Sequence, residues 1–326
     1  MSEPARTKPV PAAPLRADED SLVRAAWAYY VEGLTQGEVA ARLGLNRVRV
    51  NRMLAQARDS GLVQIRINTS LAIDLERRIE SRFGLQRASI VPSPADPQNL
   101  ANVIAVAAAA ELSGRIRDDM SVGVGWGRTL QLSLQSLERR TYSGLSVVSL
   151  LGGLTHGSVM NTYETASRLA GIFGASCSYI AGPALADTPE TRDVLLAQSI
   201  VRDALEQARK ADLALLSVGS LTPDATMLRL GILSPEDRAS LAEAGAVGDI
   251  CAHWIDASGK TIDHPLNRRV IALPPPELAG IGTVILASGG ADKIPVIRAA
   301  LRLGVIDVLV TDEATAEGLI AEDGEG

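Results

Sequence analysis

Cysteine and histidine are scarce in this chain of 326 residues. Cys177 and Cys251 are its only thiols, and no CxxC occurs. A disulfide framework is not expected, and a reducing cytoplasm is the expected setting. His156, His253 and His264 are the only imidazoles and form no HExxH or His/Cys pattern, so neither a zinc site nor a cofactor is expected. Aromatics make only 3% of the chain. The core must therefore be built from Ala, Leu, Val and Ile, and an aromatic platform for stacking bases is disfavoured. Long hydrophobic runs are missing too. The most apolar stretch, residues 103–110, falls far short of the roughly 18 residues of a membrane span, so no membrane partner is expected. Residues 1–20 carry Pro4, Pro9, Pro11 and Pro14 but no apolar stretch. They read as a flexible tail, not a signal peptide. Positive charge is in deficit, with a net charge of −6. That speaks against a surface that grips nucleic acid or anionic lipid all over. What is present is a folded composition, 46% hydrophobic and 21% charged, long enough for about two domains at ~150 residues each.

The charge is unevenly spread. Residues 22–70 hold Arg24, Arg42, Arg47, Arg49, Arg52, Arg58 and Arg66 against Glu32, Glu38 and Asp59, a local charge of +4 inside an acidic chain. Such asymmetry is a cue for a small nucleic-acid module. Short helices are legible in the same segment. Ser21 is a candidate N-cap ahead of Leu22, Ala25, Ala26, Tyr29 and Tyr30, and Gly33 stops that helix. Thr35 caps a second helix with Glu38 at capping-box spacing. Asn46 caps a third, whose Val50, Met53, Leu54 and Ala57 face inward; residues 62–67 then alternate like a strand. Counting from Gln36, a small Ala40 comes fifth, Gly44 ninth and Val50 fifteenth. This is helix-turn-helix spacing: close helix approach, a left-handed turn and a β-branched residue packing back. The third helix presents Asn46, Arg47, Arg49, Asn51 and Arg52, side chains able to read guanine and adenine edges and to reach phosphates. Thr35 and Gln36, at the start of the second helix, join this DNA-binding set.

Residues 74–83 read as a connecting helix. Beyond Arg87 the texture changes to apolar, β-rich runs at 88–91, 121–124, 145–150, 176–180, 213–218, 283–287 and 308–310. Helical patterns fall between them at 101–113, 130–137, 164–172, 191–209, 235–244 and 294–303. Near-continuous apolar strands alternating with helices predict a mainly parallel sheet covered on both faces. The domain boundaries read as a tail over 1–20, a helix-turn-helix over 21–70, a linker helix over 71–84 and an α/β body over 85–326.

Ligands of open α/β sheets bind at the carboxyl ends of strands, and four of these strands end in glycine-rich segments. The first runs through Gly123, Gly125, Trp126, Gly127, Arg128 and Thr129 into a helix. Glycines there admit an anion or a hydroxyl close to backbone N–H groups, although tight turns need glycine for steric reasons alone. The second holds Gly152, Gly153, Thr155 and His156, followed by Asn161 and Glu164, which are either ligand contacts or helix caps. The third is Gly219-Ser220, and the fourth is Gly289-Gly290-Ala291-Asp292-Lys293. Asp249 has apolar neighbours and needs a partner, either sugar hydroxyls or a structural arginine. Asn267 is similarly placed. Trp126 is a candidate sugar-facing surface.

With these residues in view, the chain resembles the SorC family of sugar-responsive bacterial transcriptional regulators from about residue 22 to 320. The resemblance lies in RMLAQARDSGLV (52–63), SVGVGWGRTL (121–130), GAVGDICAHWIDASGK (245–260), HPLNRRVIAL (264–273) and ASGGADKIPVIRAALRLGVIDVLVTDEATA (287–316). It implies an α/β protein: an N-terminal winged helix-turn-helix joined to a Rossmann-like effector domain. That domain is similar in fold to ribose-5-phosphate isomerases, glucosamine-6-phosphate deaminases and CoA transferases. It further implies double-stranded operator DNA and a sugar, polyol or sugar phosphate as partners, in a homodimer or homotetramer. The family's glycine loop falls on Gly125 to Thr129, its acidic position on Asp249, its GGxxK lysine on Lys293 and its PLN segment on Asn267. Asn46-Arg47-Val48-Arg49 departs from the Ser-Arg start of many relatives, so a DNA-binding role carries over and an operator sequence does not. Overall similarity points to an erythritol- or polyol-responsive member.

Two readings follow. One is a ligand-gated transcription factor, in which a sugar bridges the loops at Gly125, Gly152, Asp249 and Lys293. The other is a sugar-phosphate isomerase or deaminase with an accessory helix-turn-helix. An enzyme of that kind needs a general base within reach of its substrate, and Asp249, Glu164 and His156 are the thin set on offer. A structural adaptor would leave both the glycine segments and the basic helix unexplained.

Overall fold

The computed structural model describes residues 17–63, 72–153 and 161–321. The chain divides into two compact units, residues 1–67 and 68–326. The first contains α1 (Ala17–Tyr30), α2 (Gln36–Leu43) and α3 (Arg47–Asp59). Thr35 Oγ1 accepts the Glu38 amide while the Glu38 side chain accepts the Thr35 amide, closing the capping box at the start of α2. Gly44 takes the left-handed turn at φ +64°, and Asn46 Oδ1 accepts the Arg49 amide to start α3. Ala25, Ala28, Val39, Ala40, Val50, Met53 and Leu54 form the core of this unit. Ser21 does not cap a helix, because α1 already begins at Ala17 and Ser21 lies inside it. Beyond Leu62 and Val63, the alternating segment expected as a wing falls outside the described residues, as do positions 1–16 of the expected tail.

The second unit opens with α4 (Ile73–Phe83) and is organised around a seven-stranded sheet. Its strands are β1 (Arg87–Val91), β2 (Ser121–Val124), β3 (Ser146–Ser149), β4 (Ser176–Ser178), β5 (Leu213–Leu216), β9 (Val284–Ala287) and β10 (Val308–Asp312). They lie in the order β1-β10-β9-β5-β2-β3-β4, every neighbouring pair parallel. Alternate residues divide the core into two layers, as a period of two requires. Val122, Val124, Leu213, Leu215, Ile285, Val308 and Val310 face one layer. There α5 (Leu100–Arg115), α6 (Arg128–Ser133) and α7 (Thr162–Phe173) cover them with Ile104, Leu112, Leu130, Leu169 and Phe173. Val148, Ala214, Leu216, Val284, Leu286 and Leu309 face the other layer. Its cover comes from Ile79 of α4 and from α9 (Ser199–Arg209), α12 (Ile294–Arg302) and α13 (Glu313–Ile320).

That second layer also contains an element absent from the sequence reading. β6 (Val218–Ser220), β7 (Gly248–Ile250) and β8 (His253–Ile255) form an antiparallel three-stranded sheet. Gly219-Ser220 is therefore a strand, not a loop. Two short helices, α10 (Thr226–Arg229) and α11 (Pro235–Glu243), lie between β6 and β7. The expected single helix over 191–209 is two: α8 (Pro189–Leu196), capped by Thr188, and α9. The chain breaks at Gln198, whose backbone is extended, and this lets Leu195 and Leu196 as well as the Val201/Leu205 face reach the core.

Candidate functional site

In the first unit the buried stripe of α3 leaves Asn46, Arg47, Arg49, Asn51 and Arg52 on the exposed side. Gln36 reaches across from α2: its side-chain amide donates to Asn51 Oδ1 and its carbonyl accepts from Arg47 Nε, both at 3.4 Å. Thr35 stands beside it as the cap of α2. Six of the seven side chains singled out for DNA are thus exposed, and half-buried Gln36 links two of them.

In the second unit the chain reverses direction across the sheet between β2 and β5. Strands β2, β3 and β4 step one way, and β5, β9 and β10 step the other. Such a switch point opens a crevice at the strand carboxyl ends. The glycine loop after β2 lies at that end of the sheet, beside the end of β5. Gly125 N–H donates to Leu215 O at 2.9 Å, and Gly127, at φ +128°, lies against Ser217. Arg128, exposed, and Thr129, buried, open α6 directly behind. Ser217 leads at once into β6, where Gly219 pairs with Asp249 of β7.

Asp249 is 4% exposed. Its Oδ2 accepts the Ala252 amide at 3.2 Å, and Lys293 acts on it electrostatically. The hydrogen bond is local, and among the described residues no arginine partners the carboxylate. It holds a two-residue turn in which Cys251 and Ala252 both have positive φ, 49° and 60°, a conformation that side chains adopt at a cost. Burial pushes the Asp249 carboxyl up to about 6 against the pull of the Ala252 amide and Lys293. Burial pushes the Cys251 thiol up to about 12 and depresses His253 to about 4, leaving a neutral ring. Lys293 is half-buried, and burial holds its ammonium below the ordinary lysine range against Asp292 and Asp249. The structure therefore brings Asp249, Lys293, Ser220 and Asp292 together, with Ser220 Oγ donating to Asp292 Oδ2 at 2.9 Å.

The remaining expected residues have other duties. Trp126 is 8% exposed and packs in the core, so its ring does not offer a sugar-facing surface. Gly152 and Gly153 are buried, and their amides already donate to Ile271 O and Gly182 O. A Cβ at Gly153 would meet the Tyr163 ring at 2.7 Å. Both glycines are accounted for by packing. Asn161 caps α7 through the Tyr163 amide at 3.2 Å, and Glu164 is exposed on the first turn. Thr155 and His156 lie outside the described residues. Asn267 works as a strand surrogate. Its Oδ1 accepts Trp254 N–H, and its Nδ2 donates to Trp254 O and Ile262 O, all at 2.9 Å. It supports the hairpin that carries Asp249 from the edge opposite β7, and borders an open groove of about 560 Å³ with Arg192, His264 and Arg268.

One group escaped the sequence reading. Asp312, buried at the end of β10, accepts Ser93 Oγ at 2.6 Å and the Thr315 hydroxyl, and Thr315 Oγ1 accepts the Gly290 amide at 2.8 Å. This relay fixes the loop that carries Lys293. Its signal in the sequence was an aspartate ending an apolar strand with threonine three residues on. Among the described residues no cluster of His, Cys, Asp or Glu could hold a metal ion, and no helix is long and apolar enough to cross a membrane.

Comparison with known proteins follows the same division. Residues 68–321 match the Sugar-bind family, a sugar-binding domain. The chain is 32% identical over 310 residues to the erythritol catabolism regulatory protein EryD of Brucella abortus, covering 94% of this chain and 98% of that one. It is 30% identical to the deoxyribonucleoside regulator of Bacillus subtilis, over 94% and 98% of the two chains. Among solved structures, a DeoR family transcriptional regulator from Listeria monocytogenes superposes with a TM-score of 0.71 at 28% identity, over 76% of this chain and 99% of that one. The full-length sorbitol operon regulator SorC from Klebsiella pneumoniae, at 24% identity, shares the fold over 92% and 98% of the two chains with a TM-score of 0.70. The chain belongs to the SorC family of sugar-binding transcriptional regulators.

Proposed function

We propose that this protein binds operator DNA through α3 and governs a carbohydrate or polyol catabolic operon, with a sugar, polyol or sugar phosphate as its effector. The observation that carries the reading is the pairing, in one chain, of a capped helix-turn-helix with an exposed Arg/Asn face and an α/β unit in which Asp249 and Lys293 interact electrostatically. A neighbouring carboxylate and ammonium suit the hydroxyls of a polyol: the first accepts from them and the second donates. EryD is named for erythritol catabolism, and this supports a short polyol or its phosphate as the first candidate. The enzyme alternative has less support. EryD and the deoxyribonucleoside regulator, the relatives given above, are regulators by name, which supports the regulator reading over it. Effector binding and DNA binding are coupled if the ligand prefers one of two conformations that differ in operator affinity.

The test is a gel-shift assay on DNA upstream of the protein's own operon, with and without erythritol, other polyols and their phosphates. A salt-sensitive, sequence-specific complex that one of these ligands strengthens or dissolves is the expected result. Absence of any specific complex would remove the regulator reading, and turnover of a sugar phosphate would install the enzyme in its place.

A further inference from the structure

We infer that α4 is the output lever of the Lys293 loop: a closed circuit of hydrogen bonds makes helix and loop move as one body. β1 ends the seven-stranded sheet, with β10 on its one paired side. The Arg87 amide turns to Asp307 O on that side, so the Ala88 and Ile90 amides face outward. An open edge of this kind is ordinarily blunted or covered. Here two half-buried carboxylates take it. Glu80 Oε1 accepts the Ala88 amide at 2.9 Å, and Glu76 Oε1 accepts the Ile90 amide at 3.1 Å. The spacings match: residues four apart rise about 6 Å along a helix, and alternate strand amides repeat every ~6.6 Å. α4 stands in for the missing strand.

The circuit continues past β1. Ser93 Oγ donates to Asp312 Oδ2 at 2.6 Å and accepts the Ala314 amide at 2.9 Å. Asp312 accepts the Thr315 hydroxyl, and Thr315 Oγ1 accepts the amide of Gly290, three residues before Lys293. α13 starts at this junction and runs for about 12 Å to Ile320, whose carbonyl accepts Arg82 Nη1 of α4 at 2.8 Å. Arg298 of α12, the helix that Lys293 opens, donates to Gly318 O of α13 at 2.7 Å. Two arms, one through β1 and one through α13, thus join the Lys293 loop to the middle and the end of α4. A helix held at two points follows the loop in tilt as well as in position. Residues 60–72 run from the end of α3 to the start of α4, so α4 receives the chain that comes from the helix-turn-helix. A ligand that displaces the Lys293 loop therefore acts on the element to which the DNA-binding unit is tethered. This regulatory consequence rests on the DNA-binding reading; the circuit itself does not.

The circuit is tested on the full chain without DNA or effector. Thr315→Val removes the oxygen that receives the Gly290 amide. Deuterium exchange should then show lost protection in α4 and at the Ala88 and Ile90 amides, with α9 of the same layer unchanged. Protection kept in α4 and β1, or lost equally in α9, overturns the circuit. The lever is tested on upstream DNA with erythritol, or whichever polyol or phosphate of the gel-shift panel moves the parent complex. Glu76→Ala with Glu80→Ala should cut the effector-induced change in operator affinity about fivefold or more, while effector affinity of the free protein stays within about twofold by calorimetry. Glu76→Gln with Glu80→Gln keeps an accepting oxygen at each amide and should restore the response. Arg82→Met, at an exposed position, cuts the other arm and should lower the response even if the alanine pair fails to fold. A full response in either disrupted protein, or a response lost together with effector affinity, overturns the lever. No specific complex in the parent would remove the DNA-binding reading, and the exchange experiment would still decide the circuit.

Discussion

Gly219 and Asp249 face each other across the β6–β7 pair, and a methyl group on residue 219 would overlap Asp249 Oδ1. The backbone at Gly219 does not require glycine, since its φ lies outside the positive region. The requirement is space for a carboxylate. Gly219→Ala should push Asp249 off the Ala252 amide and cost about 1–3 kcal/mol, the range for overpacking a core. In urea titrations, Asp249→Ala in the Gly219→Ala background should recover most of that loss. An additive pair of effects would show that the two residues are not coupled.

Asp249 also sets a pH dependence. Its folded-state value of about 6 lies above the ordinary 3.8, so the folded protein binds more protons than the unfolded chain between those values. This group's stabilising contribution is fully present below about pH 4 and is lost as pH rises through about 6. Asp249→Asn keeps an oxygen for the Ala252 amide and removes the buried charge. The variant should be more stable than the parent at pH 7.5, by an amount of order 1–3 kcal/mol. The difference should vanish near pH 4 in parallel thermal melts. A parent advantage at pH 7.5 would mean that attraction to Lys293 outweighs burial.

Much of this was legible in the residues, for identifiable reasons. Capping at Thr35 and Asn46 and the left-handed Gly44 are local events, so sequence alone locates α2 and α3. The inner parallel strands β5, β9 and β10 are buried on both faces, and β2 and β3 nearly so, and they therefore read as unbroken apolar runs. The small sheet did not declare itself, because β6, β7 and β8 have three residues each and carry Gly219, Gly248 and Asp249, poor strand formers alone. Site membership was harder still. Trp126 and Asn267 sit in segments that mark the family, yet one ring is core and the other side chain is an internal clamp. Sequence shows which residues are unusual. Which way each one points is decided by packing between strands distant in the chain.

Asn267 illustrates the consequence. It satisfies three backbone groups of Trp254 and Ile262 from a buried position. Asn267→Ala removes all three bonds, with the Trp254 carbonyl keeping only the Ile262 amide, and should cost about 2–4 kcal/mol, at roughly 1 kcal/mol or more per buried bond lost. Asn267→Asp should do no better, because a carboxylate cannot donate to the two carbonyls. Urea midpoints measure the loss. An Asn267→Ala protein of full stability that no longer answers to effector would restore this residue to the ligand site.

Lys293 separates effector response from DNA binding. It sits in the loop fixed by the Asp312–Thr315–Gly290 relay, next to Asp249 and Asp292. Lys293→Ala removes a donor and a half-buried charge, and should weaken binding of an anionic or polyhydroxylated effector about tenfold or more, the typical cost of a lost charged hydrogen bond. Operator affinity without effector should stay within about twofold. Calorimetry with the effector found in the gel-shift panel is the measurement. An unchanged affinity would place the ligand elsewhere.

Arg47 and Arg49 test the recognition surface directly. Both lie on the exposed side of α3, opposite its buried Val50, Met53 and Leu54. Exposed side chains away from caps and cores change stability by only about 0.5 kcal/mol, so Arg47→Ala and Arg49→Ala should keep the parent melting curve. Their effects on DNA should differ by role. A phosphate contact weakens binding to all sequences alike and lowers the magnitude of the salt slope by about 1. A base contact costs about 1–3 kcal/mol on the operator alone and relaxes preference at one base pair. Operator titrations at several salt concentrations, with matched nonspecific DNA, assign each arginine to one class. Two variants with parental affinity at every salt concentration would show that α3 is scaffolding.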